Sequence, residues 1–515
     1  MPLTALKFKP GINRETTSYS NEGGWFTCDK IRFRFGYAEK IGGWSAYSDS
    51  TFLGTSRALF SWVALDGTKF LGIGTNLKYY IADGSIYYDI TPIRTTTTNA
   101  TTFSATNGSA VITVTDNGHG AKLNDFVTFS GAATLGGTVT ATVLNAEHQI
   151  TEIVNNNSYK ITVSSAANSS DSGNGGGSVT SVYQINTGLD TNFFGTGWGA
   201  GVFGGTTLSL PSTAINDGSG LTASATSVTV DSAASFSNTG FLKIDDEIME
   251  YTAKTSTTFT GLIRGALGTT AATHADNATV IEATFGWGMQ ATTTIPGENL
   301  SNWTHDNFGE DLLLNVRNGG IYYWDRTSGT SARAVELSSL SGSVSAPSVA
   351  KQIMVSDQDR HIIAFGCDSE ANPGTQDPLL IRFGSQESLI AWQSLATNTA
   401  GELRLSTGSE IVVAVQTKQQ ILIYTDVSLH GMQFLGPPFT FGLTEISRNV
   451  TIASPNAAVA VNDFVFWMGS KEFYVYSGTV ARLPCTVLDY VFSDFNRDQI
   501  GKVTAGHNSS YGEVW

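Results

Sequence analysis

Few residues in this 515-residue chain have the types and spacing that chemistry demands. Seven histidines, His119, His148, His274, His305, His361, His430 and His507, are scattered with no pair four apart and no neighbouring cysteine. A helical metal site needs such a pair, so these read as loop or surface histidines rather than ligands. Cys28, Cys367 and Cys485 are too far apart for a CxxC motif and odd in number, so three buried thiols are expected rather than a disulfide framework. Two carboxylate groups remain. Asp245, Asp246 and Glu247 stand together in KIDDEIMEYT, where neighbours on a strand would face opposite ways and could not flank one glycosidic bond. Asp357 and Asp359, in SDQDRH, form a turn that could take a cation, with a solvated turn as the plainer reading.

No GxSxG, GxxxxGK[ST], HExxH or sialidase-type SxDxGxxW pattern occurs. The glycines of FFGTGWGAGVFGG, residues 193–205, lack the following helix and the distant acidic residue of a dinucleotide loop. No catalytic residue, cofactor or metal site is therefore assigned, and the chain is read as a protein that is not an enzyme.

The elements that would position these residues are strands. Charged residues are only 14% of the chain, Gly numbers 55, and Thr, Ser and Asn fill the deficit. Such a composition disfavours helices and favours strands and turns. Residues 1–50 contain IRFRFG, where Ile31, Phe33 and Phe35 alternate with Arg32, Arg34 and Gly36; period two predicts a half-buried strand with its polar members outward. Residues 51–95 form a meander of hairpins. Residues 96–184 are poor in aromatics and carry AVITVT, DFVTFSGA, TVTATVL, HQITEIV and SYKITVSS at the spacing of a small β-sandwich. Residues 185–211 are a Gly-rich return, residues 212–284 a second small β-domain, and residues 285–515 resume the aromatic hairpins.

A loose repeat links the two flanks. FLGIGTNLKYYIAD, LLLNVRNGGIYYWD, IVVAVQTKQQILIYTD and FVFWMGSKEFYVYSG each set an apolar strand, a polar turn and an aromatic strand, with Tyr79, Tyr80, Tyr322, Tyr323, Trp324, Tyr424, Tyr474 and Tyr476 following the turns. HIIAFGCD with LLIRFGSQESLIAWQ is a weaker fifth unit. Repeated β-units sharing an aromatic position predict propeller blades. The fold expected is all-β: a β-propeller-like platform with two inserted small β-domains. The sequence closes on SSYGEVW, the start of a further strand, so a blade is expected to be incomplete.

With 29 Lys+Arg against 44 Asp+Glu, the formal charge is −15, which opposes a sequence-general grip on DNA or anionic lipid. The opening MPLTALKFKPGINRE lacks an apolar signal core, and no run of 18 apolar residues occurs, so stable membrane insertion is not expected. The segment Met1 to Arg14, with Pro2, Pro10 and Gly11, has little to pack on itself and could dock on a neighbouring subunit.

Two passages carry a resemblance. KFKPGINRETTSYSNEGGWFTCDKIRFRFGYAEKIGGW resembles the beginning of structural proteins in short-tailed, podovirus-type bacteriophages. The modules KIDDEIMEYT with FTGLIRGALGTTAATHADNATV, and VTDNGHG with DFVTFSGA, resemble those of repeat-bearing phage tail proteins. In architecture the chain resembles the tail nozzle, or tail tubular protein B, family, with sequence likeness confined to residues 1–45 and the two modules. That resemblance implies a structural virion protein of the tail, assembled in the host cytoplasm. It implies a homo-oligomeric ring, commonly hexameric, below the portal and its adaptor (the head–tail connector), with tail fibres or spikes as lateral partners. Genomic DNA would pass through the ring without tight binding, retained and then released at ejection; an acidic lumen suits that passage. A receptor- or glycan-binding tail protein with depolymerase activity is the alternative.

Overall fold

The computed structural model describes residues 8–17, 19–174, 178–191, 211–266, 269–283 and 300–515. Two units separate: residues 1–192 with 299–515, and residues 193–298. The chain is all-β and propeller-like, with two small inserted β-domains.

Among the described residues of the first unit, five four-stranded antiparallel sheets follow one another, each a simple meander. Blade 1 comprises Ser56–Val63, Lys69–Thr75, Tyr79–Asp83 and Ile86–Asp89. Blade 2 comprises Trp303–Phe308, Asp311–Val316, Ile321–Trp324 and Val335–Glu336. Blade 3 comprises Gln352–Val355, Ile362–Phe365, Leu380–Phe383 and Gly401–Arg404. Blade 4 comprises Ile411–Gln416, Ile421–Thr425, Ser428–Gly436 and Thr440–Arg448, and blade 5 Ala458–Val461, Phe464–Met468, Phe473–Tyr476 and Val480–Arg482. Successive blades are adjacent at their first strands, and those strands are stitched by side chains: Ile353 N donates to Thr304 Oγ1, and Gln352 exchanges two bonds with the backbone of Ala414.

Aromatics fill the space between blades. Trp62, Tyr79, Trp303 and Trp324 lie buried between blades 1 and 2. Tyr424, Trp467 and Tyr476 do the same between blades 4 and 5. A residue that faces the next sheet must be large, because sheets pack about 10 Å apart. Gly74 is the complement to Trp303: a Cβ there would lie 2.5 Å from the indole, so only glycine admits the ring.

Both insertions fall in the single connection between blades 1 and 2. The first is an eight-stranded antiparallel sheet running from Ile93 to Gln184, with Phe103, Ile112, Val127, Phe129, Tyr159 and Tyr183 in its own core. The second belongs to the other unit and holds a four-stranded and a three-stranded sheet between Ser212 and Ala283, around Val230, Phe236, Leu242, Met249, Tyr251 and Phe259.

Two expectations need correcting. In the hairpin Ile31–Arg34 with Tyr37–Lys40, the buried member is Arg32, while Phe35 sits in the turn, 86% exposed. Arg32 is drawn in because its guanidinium stacks 3.4 Å over the Tyr511 ring and faces Glu513 at 3.6 Å. Of the three thiols only Cys367 is buried; Cys28 and Cys485 are half-exposed, in the loops where the two chain ends meet.

Candidate functional site

The carboxylates of KIDDEIMEYT are divided by a turn rather than by strand alternation alone. Asp245 adopts φ 50° between Gly240–Ile244 and Glu247–Tyr251, which leaves its side chain outward. Glu247 opens the next strand pointing inward, 1% exposed. Its carboxylate accepts from Arg264 Nε at 2.8 Å and NH2 at 2.7 Å, from the amides of Gly265 and Ala272 at 2.9 Å each, and lies 2.9 Å from His274 Nε2. His274 Nδ1 in turn faces Asp245 at 2.7 Å. Burial pushes the Glu247 carboxyl up, but Arg264 and these donors outweigh it and hold the group at about 2. With every lone pair engaged, the cluster fastens the long loop after Thr258–Thr260 to the sheet.

The SDQDRH turn is likewise half interior. Asp357 is exposed, whereas Asp359 is buried, which corrects the solvated-turn reading for that residue. Asp359 Oδ1 lies 2.8 Å from His361 Nδ1, and His361 Nε2 lies 2.9 Å from Thr399 Oγ1. Carboxylate, imidazole and hydroxyl stand in the order nucleophilic catalysis uses. Here the imidazole is fully buried and the hydroxyl already accepts the Gln386 amide, so the chain of bonds ties two loops of blade 3 together.

The remaining histidines are also tied into the structure, except at the surface. His119 bonds Asn155 O and the Ala121 amide, His148 bonds Leu144 O, His430 bonds Ser428, and His507 is exposed. Among the described residues no group of three or more His, Cys, Asp or Glu is placed to hold a metal. Residues 193–205 lie outside the described residues.

A polar joint that the sequence did not reveal connects blade 1 to the first insertion. Lys78, 3% exposed, bonds Asp89 at 2.7 Å and Glu147, and lies 4.4 Å over the Phe126 ring. Arg333 from blade 2 adds a 2.9 Å bond to Asp89, and Gln184 a 2.6 Å bond to Glu147. Two cations between two carboxylates make this a fixed mount, because Lys78 left alone would be a buried charge without a partner.

Contacts also cross between blades that are not consecutive in sequence. Arg317, at the end of the second strand of blade 2, donates to Val412 O of blade 4 at 2.8 Å. Asn456, just before blade 5, donates to Arg57 O of blade 1 and to Asn302. Burial brings the Arg317 guanidinium down to about 10.

His305 and Asp306 share the first strand of blade 2. Burial lowers His305 to about 4, with Tyr79 OH 2.7 Å from its Nδ1. Burial raises Asp306 to about 6, helped by Asp357 and opposed by the amides of Val355 and Asn307. The signs are opposite. Between pH 4 and 6 folded Asp306 keeps a proton that the unfolded chain releases, so its contribution falls as pH rises. Over about the same window unfolded His305 takes a proton that the folded chain refuses, so its contribution falls as pH drops. Asp306→Asn is expected to unmask the histidine: the platform should gain about 2–3 kcal/mol at pH 7 and become steadily less stable from pH 6.5 to 4. Unfolding by urea at pH 4.5 and 7 checks this, and an unchanged pH profile would refute it.

Among the described residues no helix is long and apolar enough to cross a membrane. No protein-family model matches the chain, and no curated protein matches it. Among solved structures, the phage phi92 endosialidase aligns over 84% of this chain and 46% of its own, at 10% identity and a TM-score of 0.17. The AfRom2 CNH domain aligns over 84% and 94% at 8% identity and a TM-score of 0.22, and an ancestral GH74 enzyme over 84% and 72% at 10% and 0.22. The chain spans less than half of the endosialidase chain. Scores this low lend no activity to the present chain.

Proposed function

We propose that this chain is a structural tail protein of a short-tailed bacteriophage, a nozzle-type subunit. Its copies would assemble into a ring that extends the DNA channel below the portal and adaptor, and would retain and then release the genome. The observation that carries this reading is the burial of large aromatics between the blades. Trp62, Tyr79, Trp303, Trp324, Tyr424 and Trp467 are all buried between blades, where they stiffen a platform. A glycan-binding groove would present such rings to solvent beside carboxylates.

Further support comes from charge. A −15 chain offers phosphate few counter-charges, which suits a wall that DNA slides past. The resemblance of residues 1–45 to podovirus-type structural proteins points the same way.

Electron microscopy of the purified chain, alone and with its adaptor, tests the reading. Closed rings with a channel wide enough for duplex DNA are expected. Compact particles that never join an adaptor, together with glycan binding or cleavage, would replace it by the receptor-binding alternative.

A further inference from the structure

The first turns of blades 3 and 4 hold two buried acceptors that the surrounding side chains leave unanswered. Asp359 is 4% exposed and turns Oδ1 to His361 Nδ1 at 2.8 Å, while its Oδ2, also buried, accepts no hydrogen bond from the described residues. Across the joint, Gln416 donates from Nε2 to Thr417 O at 2.9 Å, which fixes the amide and leaves its Oε1 buried and equally without a donor. Gln358 Nε2 bonds Lys418 O at 2.6 Å and so holds the two turns together. Asp359 and Gln416 line one cavity of about 10 Å³, room for a single water-sized particle, with Ser356 and Gln419 beside them.

Charge adds to the mismatch. Among the described residues no Lys or Arg lies within ion-pair distance of Asp359, because the cations of these two turns face elsewhere: Arg360 lies 3.6 Å from Glu387, and Lys418 lies 3.4 Å from Asp463. His361 brings no charge either. Thr399 Oγ1 accepts the Gln386 amide and has its own proton to give to His361 Nε2, which assigns the single ring proton to Nδ1, facing Asp359. Asp359 is then a buried carboxylate with one oxygen unbonded and no countercharge, an arrangement that interiors do not tolerate without a partner.

We propose that this cavity binds a monovalent cation of sodium's size, held by Asp359 Oδ2 and Gln416 Oε1. Two acceptors without a donor call for a cation or a water, and burial chooses between them. Both oxygens lie out of reach of a water-sized sphere. A hard cation of calcium's radius, which sodium shares, sits about 2.3–2.6 Å from its oxygen ligands, closer than the about 2.8 Å of a hydrogen-bonded water. Ligands that are all oxygen select a hard ion over a soft one. One carboxylate then sets the charge at one, since a divalent ion would leave a positive charge buried. The ion ties the first turn of blade 3 to that of blade 4, a joint otherwise spanned at the turns by Gln358.

Hydrogen exchange of the full chain in sodium chloride and in tetramethylammonium chloride, at equal ionic strength, decides it. At a sodium concentration ten times Kd, opening of Gln352–Phe365 and Ile411–Thr425 should slow roughly tenfold. Gln416→Met and Asp359→Asn should lose that response, and Asp357→Asn, at the exposed carboxylate of the same turn, should keep it. Should Asp359→Asn fail to fold, Gln416→Met still decides. Equal exchange in the two salts would overturn the proposal and leave a buried water or a protonated carboxyl at Asp359. A sodium response that survives Gln416→Met, or that disappears in Asp357→Asn, would place the effect at the surface and overturn it too. Protection by calcium chloride but not by sodium would overturn the assignment of a single charge.

Discussion

Glu247→Ala is expected to unfold the second inserted domain while the platform stays folded. The substitution removes the carboxylate that five donors converge on, leaving Arg264, His274 and the amides of Gly265 and Ala272 without it in the interior. Breaking a buried ion pair by deleting one partner costs about 3–5 kcal/mol, a large part of what a small domain has in hand. Arg264 also reaches the carbonyls of Thr222 and Ala272, so losing its anchor frees several loop segments at once. Hydrogen exchange on the full chain reads the outcome by segment: protection should vanish across residues 212–283 and persist in blades 2–5. Uniform loss, or none, would show that the cluster is not what holds the domain. Acid should act in the same direction. A carboxyl held at about 2 against an ordinary 4.5 contributes stability that is complete above about pH 4.5 and lost as pH falls toward 2, so this domain should lose protection in that range.

The second large effect is expected at Trp303. Its ring is 1% exposed, meets Tyr79 at 5.0 Å, donates from Nε1 to Thr75 O at 2.7 Å and occupies the space that Gly74 leaves open. Trp303→Ala opens a cavity between blades 1 and 2 and removes the shorter of the two side-chain bonds to that carbonyl, leaving the 3.4 Å one from Ser301 Oγ, a loss of about 3–5 kcal/mol. Because a chain of several domains does not unfold as one transition, the readout again has to be local. Faster exchange confined to Ser56–Asp89 and Trp303–Trp324 is the expected result, and exchange unchanged there would refute the argument.

Much of this fold was legible because alternation and aromatic placement are properties of single strands. The pattern DFVTFSGA buries Phe126, Val127 and Phe129, and the repeat of apolar strand, turn and aromatic strand coincides with blade hairpins. The weak fifth unit is blade 3. What the repeat could not tell was which hairpin of the meander it marked. In blades 1, 2 and 5 it spans the second and third strands, so Tyr79, Tyr322 and Tyr474 occupy the third; in blade 4 it spans the first and second, placing Tyr424 on the second strand. Both hairpins alternate in the same way, and only packing on the next blade distinguishes them.

The polar clusters were less legible, because their partners are distant in sequence. Nothing local in IDDEIM shows that Glu247 will meet Arg264 and His274, and nothing near Lys78 announces Glu147 or Arg333. The hairpin at residues 31–40 misled for a related reason. Period two identifies two faces, but which face is buried depends on Tyr511 and Glu513 at the far end of the chain.

Placing both insertions between blades 1 and 2 also has a consequence for how the chain is made. Blades 2 to 5 follow one another closely, so each finds its neighbour as it leaves the ribosome. Blade 1 does not: about 210 residues separate Asp89 from Trp303, which at ordinary translation speeds is a wait of about 10–40 s. During that wait Trp62, Phe70 and Tyr79 have no second sheet to face, while each insertion has a complete core of its own to build. The exposed flank of blade 1 is thus the nascent chain's point of vulnerability, where a chaperone has most to protect and a neighbouring nascent chain most to capture.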